Sequence, residues 1–79
     1  MLLKDMRVGQ QGRITALRSK GLHCRRLCEM GFLPGTDFSI IHRAPLGYPL
    51  ALKVRGYEVI IGKLDAATVE VEVKNEINA

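Results

Sequence analysis

Tryptophan is missing from this sequence, and its aromatic side chains are only Phe32, Phe38, Tyr48 and Tyr57. Single-stranded nucleic acid is held by stacking successive bases on aromatic rings along a basic groove. Four scattered rings with no interleaved basic residues make a thin platform, so a basic nucleic-acid-binding barrel is a rival reading and nucleic acid is not an expected partner. Long apolar runs are missing too. A bilayer span needs about 20 consecutive apolar residues, and the first residues lack the apolar stretch of a secretory signal. The expectation is therefore a cytoplasmic protein with no direct membrane insertion. No glycine-rich phosphate loop, paired-carboxylate signature or serine elbow occurs either. A substrate-enclosing cleft of about 300–1,000 Å³ would take a large share of the core of a 79-residue chain. Domains of this size bury only about 60% of their unfolded surface. These absences predict a non-enzyme, folded as one domain over residues 1–79, with no cofactor.

What is present is an ordinary globular balance, 47% hydrophobic and 25% charged, which points to neither disorder nor a disulfide scaffold. The formal net charge of +4 is unevenly spread along the chain. Residues 1–28 carry Lys4, Arg7, Arg13, Arg18, Lys20, Arg25 and Arg26 against Asp5 alone, whereas the remainder is slightly acidic. This asymmetry predicts a basic surface at one end of the domain, suited to an acidic partner, with simple solvation of that face as the plain alternative.

Glycines and prolines stand singly where the apolar pattern breaks, as turn residues do. Gly12 to Arg18 reads as a first strand. In Leu22 to Gly31, Cys24, Leu27, Cys28 and Gly31 fall at i, i+3, i+4 and i+7, one narrow apolar stripe on a short helix. Gly31 suits the position just past a helix end and Pro34 prevents continuation. Thr36 to Ala44 reads as a strand that must stop pairing at the loop Ala44-Pro45-Leu46-Gly47-Tyr48-Pro49. Leu50, Leu52 and Val54 alternate with polar or small residues, Arg55-Gly56-Tyr57 reads as a tight turn into Glu58 to Ile61, and Val69, Val71 and Val73 supply a last strand. About five short strands, one small helix and no βαβ rhythm predict a mainly β fold, a small antiparallel barrel with the helix between the first two strands.

The order of segments resembles the FeoA family. The residues that carry this are Arg26-Leu27, then Glu29-Met30-Gly31-Phe32-Leu33-Pro34-Gly35, then Ala44-Pro45-Leu46-Gly47-Tyr48-Pro49, with Leu3-x-x-Met6-x-x-Gly9 before them and Ala66-Ala67 and the valine strand after. Tyr48, where the family often has an acidic residue, and Gly62, where a basic residue is common, depart from the pattern. The resemblance implies an SH3-like five-stranded barrel. It further implies a small cytosolic accessory protein of bacterial ferrous-iron uptake, in a family tied to transition-metal handling, whose partner is the cytosolic region of the transporter FeoB. An SH3-like regulatory module of the iron-dependent repressor type is a rival, disfavoured here because no helix-turn-helix segment is attached.

His23, Cys24 and Cys28 offer soft and borderline metal ligands. Structural zinc sites, however, pair Cys-x2–4-Cys with a second ligand pair, and His42 is the only later histidine. Core packing of both thiols outweighs a metal site, and an intrahelical disulfide fails on distance, because Cβ atoms at i and i+4 stand about 5–6 Å apart. His42 is expected to face inward beside Phe38 and Ile40. No metal ligand or catalytic residue is assigned. The candidate partner-binding residues are Arg26, Leu27, Phe32, Leu33, Pro45, Leu46 and Tyr48, with Leu46 and Tyr48 displayed by the proline-framed loop at little entropic cost on binding. A weak homo-oligomer is left open.

Overall fold

The computed structural model describes residues 1–75; residues 76–79 of the expected domain lie outside the described part. A 3-10 turn, Leu3–Asp5, leads to β1 (Gln11–Leu17), α1 (Gly21–Glu29), β2 (Asp37–Arg43), β3 (Leu50–Val54), β4 (Tyr57–Ile61), α2 (Lys63–Ala66) and β5 (Val69–Asn75). The strands form one antiparallel sheet in the order β4-β3-β2-β1-β5. The five expected strands and the helix between the first two are therefore present, each within a residue or two of its sequence-derived bounds. The 3-10 turn and α2 escaped the sequence reading, because a single helical turn is too short to show a 3.6-residue period. β4 and β5 end the sheet, with no ladder between them among the described residues.

One core lies inside the curved sheet. Ile14 of β1, Phe38 and Ile40 of β2, Leu50, Leu52 and Val54 of β3, Ile61 of β4 and Val69 and Val71 of β5 fill it, joined by Leu3, Met6, Leu27, Phe32 and Ala66 from the helices and connections. The β3–β4 hairpin turns on two residues, Arg55 and Gly56, with φ of +54° and +85°. Two successive positive φ values match the right-handed twist of the flanking strands.

Alternation fails at one informative place. Ile40 pairs with Leu52 and His42 with Ala51, so Ile41 is an extra residue in β2. Such a bulge shifts the following residues to the opposite face. His42 is therefore exposed, which corrects the expectation that it faces inward, and Arg43 swings toward the barrel end instead.

The basic N-terminal portion is only partly left as a basic surface. β1 lies between β2 and β5, so Arg13 and the Arg18 that follows the strand meet acids from later in the chain, Asp37 at 2.9 Å and Glu70 at 2.5 Å, and Arg26 of α1 approaches Asp65 at 3.6 Å. Folding mixes charges that the linear sequence segregates.

At Gly12 the backbone of β1 has no room for a side chain. A Cβ there would lie 2.8 Å from the Glu72 carbonyl oxygen and 2.9 Å from the Phe38 ring. Gly12→Ala is expected to lower unfolding stability by about 1–3 kcal/mol through overpacking, measured by urea denaturation. A change within 0.3 kcal/mol would contradict the close approach. The exposed Asp37 carboxyl is held below its ordinary pKa by hydrogen bonds from Lys74 and then Arg13, and Glu70 is held down by Arg18. Both carboxyls thus bind protons less readily when folded than when unfolded. Their stabilisation is present above about pH 4 and is lost as pH falls through the depressed folded values. Melting temperature is expected to drop on that acid limb, and Asp37→Asn to make the drop shallower.

Candidate functional site

The loop between β2 and β3 is braced at several points. The Gly47 amide donates to the Ala44 carbonyl at 2.7 Å, closing a turn over Pro45 and Leu46, and the Ala44 amide donates to the Pro49 carbonyl at 3.2 Å, closing the base. Arg43, turned inward by the bulge, donates to the Gly47 carbonyl at 3.2 Å and to the Met6 carbonyl at 2.6 Å. Its guanidinium also sits 5.6 Å from the centre of the Tyr48 ring, within cation–π range. One side chain thus ties the loop to the N-terminal segment. The result is that Leu46 is 96% exposed, while Tyr48 is half-buried and packs against the core. Pro45 is exposed beside Leu46. The expected display of a loop side chain therefore holds for Leu46, whereas Tyr48 faces the body of the domain. Arg43 escaped the sequence reading, because only the Ile41 bulge turns it toward the loop.

The second candidate segment has a different job. At the end of α1 the Gly31 amide donates to the Cys28 carbonyl and the Phe32 amide donates to the Leu27 carbonyl at 2.9 Å, with Gly31 at φ +99°. This pair of bonds is the Schellman arrangement, which brings an apolar residue just past the helix back against one in its last turn. Those residues are Phe32 and Leu27, 1% and 0% exposed. Both were candidate contact residues, and both are corrected: the helix cap places them in the core. Leu33 stays 38% exposed, in a turn closed by the Thr36 amide on the Leu33 carbonyl and anchored to β1 where the Gly35 amide donates to the Ile14 carbonyl. Leu33 helps line a groove of about 460 Å³ with Cys28, Met30 and Tyr57.

Arg26, also a candidate, reaches Asp65, whose carboxylate is nearly buried and takes a second contact from His23 Nε2. These contacts pin α1 to α2. His23 is thus turned toward α2, and among the described residues no three of His, Cys, Asp and Glu gather to hold a metal ion. Cys24 and Cys28 are free and half-buried, not packed in the core as expected, because Leu27 is the only fully buried residue of α1. Burial, and then the neighbouring Cys24, push the Cys28 thiol above its ordinary pKa, which keeps it protonated and a poor nucleophile.

A family model described as the FeoA domain matches residues 1–73. The chain belongs to the FeoA family. The Fe(2+) transport protein A/Fe(2+) transporter FeoB fusion protein of Porphyromonas gingivalis is 33% identical over 73 residues, which span 92% of this chain and 9% of the fusion. The solution structure of iron(II) transport protein A from Clostridium thermocellum superposes with a TM-score of 0.89 at 36% identity, over 92% of this chain and 45% of that one. A zinc complex of Stenotrophomonas maltophilia FeoA, described as a prokaryotic SH3 domain protein, superposes with a TM-score of 0.79 at 22% identity, over 91% of this chain and 89% of that one. At that identity the likeness bears on fold alone, and the fold is the expected SH3-like one. No helix among the described residues is long and apolar enough to cross a membrane.

Removing the loop brace should be measurable without any partner. Arg43→Ala strips hydrogen bonds from the Gly47 and Met6 carbonyls and is expected to cost about 1–3 kcal/mol. Amide exchange at Gly47 is expected to accelerate at least tenfold while the β3–β4 ladder keeps its protection. Unchanged exchange at Gly47 would show that the guanidinium does not hold the loop.

Proposed function

We propose that this FeoA-family domain is a non-catalytic accessory module of bacterial ferrous-iron uptake that docks on the cytosolic region of FeoB through its β2–β3 loop. The observation that carries this reading is Leu46, 96% exposed on a loop whose backbone is already fixed by its turn and by Arg43. An apolar side chain held out on a stiff loop loses little conformational entropy on binding and gains burial worth about 1.5–3 kcal/mol. Leu33, on the turn after α1, is a second exposed apolar contact candidate. A relative in which transport protein A and FeoB share one polypeptide supports the choice of partner, because covalent linkage keeps two weakly binding modules at high mutual concentration. A single face of so small a domain forms a modest interface, and modest affinity suits an accessory that binds and releases. Arg26 acts through α1 packing in this reading, and Tyr48 supports Arg43 from beneath.

The test is capture of the purified FeoB cytosolic region, with and without nucleotide, by wild type and by Leu46→Ser. Because Leu46 touches so little of the domain, the variant is expected to melt within about 1 °C of wild type and to bind at least tenfold more weakly. Equal capture by a folded Leu46→Ser protein would remove the loop as the contact.

A further inference from the structure

After Leu46 the most exposed aliphatic side chains are Leu22 of α1 and Leu64 of α2, 79% and 76% exposed. They belong to one end of the domain. β1 finishes where β5 begins, with Leu17 opposite Val69 and the Arg18 amide donating to the Thr68 carbonyl at 2.7 Å. The helix that follows β1 and the one that precedes β5 therefore come together there, and His23 and Arg26 of α1 hold Asp65 of α2. Each leucine is the sequence neighbour of a residue in that contact.

The unpaired charges nearest them along the two helices are basic, with exposed Asp5 on the 3-10 turn that packs against α2. Lys20 precedes α1, Arg25 lies one turn from Leu22, and Lys63 adjoins Leu64; all three are exposed and have no acidic partner among the described residues. The nearby carboxylate of Asp65 is already taken by His23 and Arg26, and Glu29 sits at the far end of α1. Neither leucine lines the grooves of the sheet face or the Cys28 groove. Leucines projecting from two helix ends among unpaired cations suit a soft anionic surface, which needs no shape complementarity and accepts apolar side chains at the headgroup boundary.

We propose that the α1–α2 end is a weak, reversible contact for an anionic lipid bilayer, with Leu22 and Leu64 entering the interface and Lys20, Arg25 and Lys63 facing the headgroups. The proposal does not rest on Leu46 and stands whether or not that loop binds FeoB. This contact would hold the domain at the bilayer surface, confining its search for a membrane-bound partner to two dimensions.

The experiment is co-flotation of the full chain with 100 nm vesicles of equimolar phosphatidylglycerol and phosphatidylcholine, against phosphatidylcholine alone, at low salt. Partitioning is expected on the anionic vesicles and at least fivefold weaker on the neutral ones, since each basic residue near such a surface contributes a factor of about five. The Leu22→Ser/Leu64→Ser variant, with unchanged circular dichroism, is expected to partition about tenfold less, and Lys20→Gln/Arg25→Gln/Lys63→Gln to match the neutral-vesicle level. Leu46→Ser should float like wild type, which keeps this result apart from the FeoB test. Absence of flotation, equal flotation on both vesicles, or an unaffected leucine variant each overturns the proposal. So does binding to soluble polyglutamate in place of vesicles, which would assign the surface to an acidic protein.

Discussion

At Gly12 three remote parts of the chain are drawn to one point: the β5 backbone at Glu72, the ring of Phe38 on β2 and the tip of Met6 from the N-terminal segment. Because β1 contributes no side chain there, its neighbours on either side fold inward over it, and a sheet of short strands wraps round a core it would otherwise leave open. Antiparallel pairing with β1 on that wrapped sheet brings the start of β5 to the end of β1, and so brings α2 to α1, where the nearly buried Asp65 carboxylate takes His23 and Arg26. A nearly buried carboxylate held by a guanidinium and an imidazole is stable only while both stay in place, so the helices are registered on each other as well as on the sheet.

A core this small competes with the surface for every apolar residue. Leu27 and Phe32 go to the cap of α1 and Tyr48 to supporting Arg43, while Leu46 is released as the loop's large exposed apolar side chain. That division explains why a motif with the composition of a contact surface is largely internal scaffolding. Within Gly31-Phe32-Leu33-Pro34, the backbone geometry that ends the helix dictates that Phe32 goes in and Leu33 comes out.

Much of the fold was legible because strands with one buried face advertise themselves by alternation, as Leu50, Leu52 and Val54 do, and because Gly31 and Pro34 mark the end of α1. Two kinds of feature were not. One is the single inserted residue: Ile41 looks like any other strand residue, yet it turns His42 outward and Arg43 inward, and its effect depends on pairing with a partner strand. The other is interaction between residues far apart in sequence. The grip of Arg43 on the Met6 carbonyl, the contacts of His23 and Arg26 with Asp65, and the neutralisation of Arg13 by Asp37 all join segments whose proximity only the sheet order creates. The site was legible to the extent that it is local. Pro45 and Pro49 announced a constrained loop around Leu46, but that Leu46 and not Tyr48 would be left outside depended on the guanidinium above the Tyr48 ring.

The bracing of the β2–β3 loop also sets its metric. The bond from Gly47 to Ala44, the closure at Pro49 and the span from Arg43 to Gly47 all require the present number of residues between the strands. An inserted or deleted residue would break all of them together, whereas replacement of the side chain at position 46 breaks none. Divergence in what this tip recognises is therefore channelled into exchange of one protruding group at constant loop length.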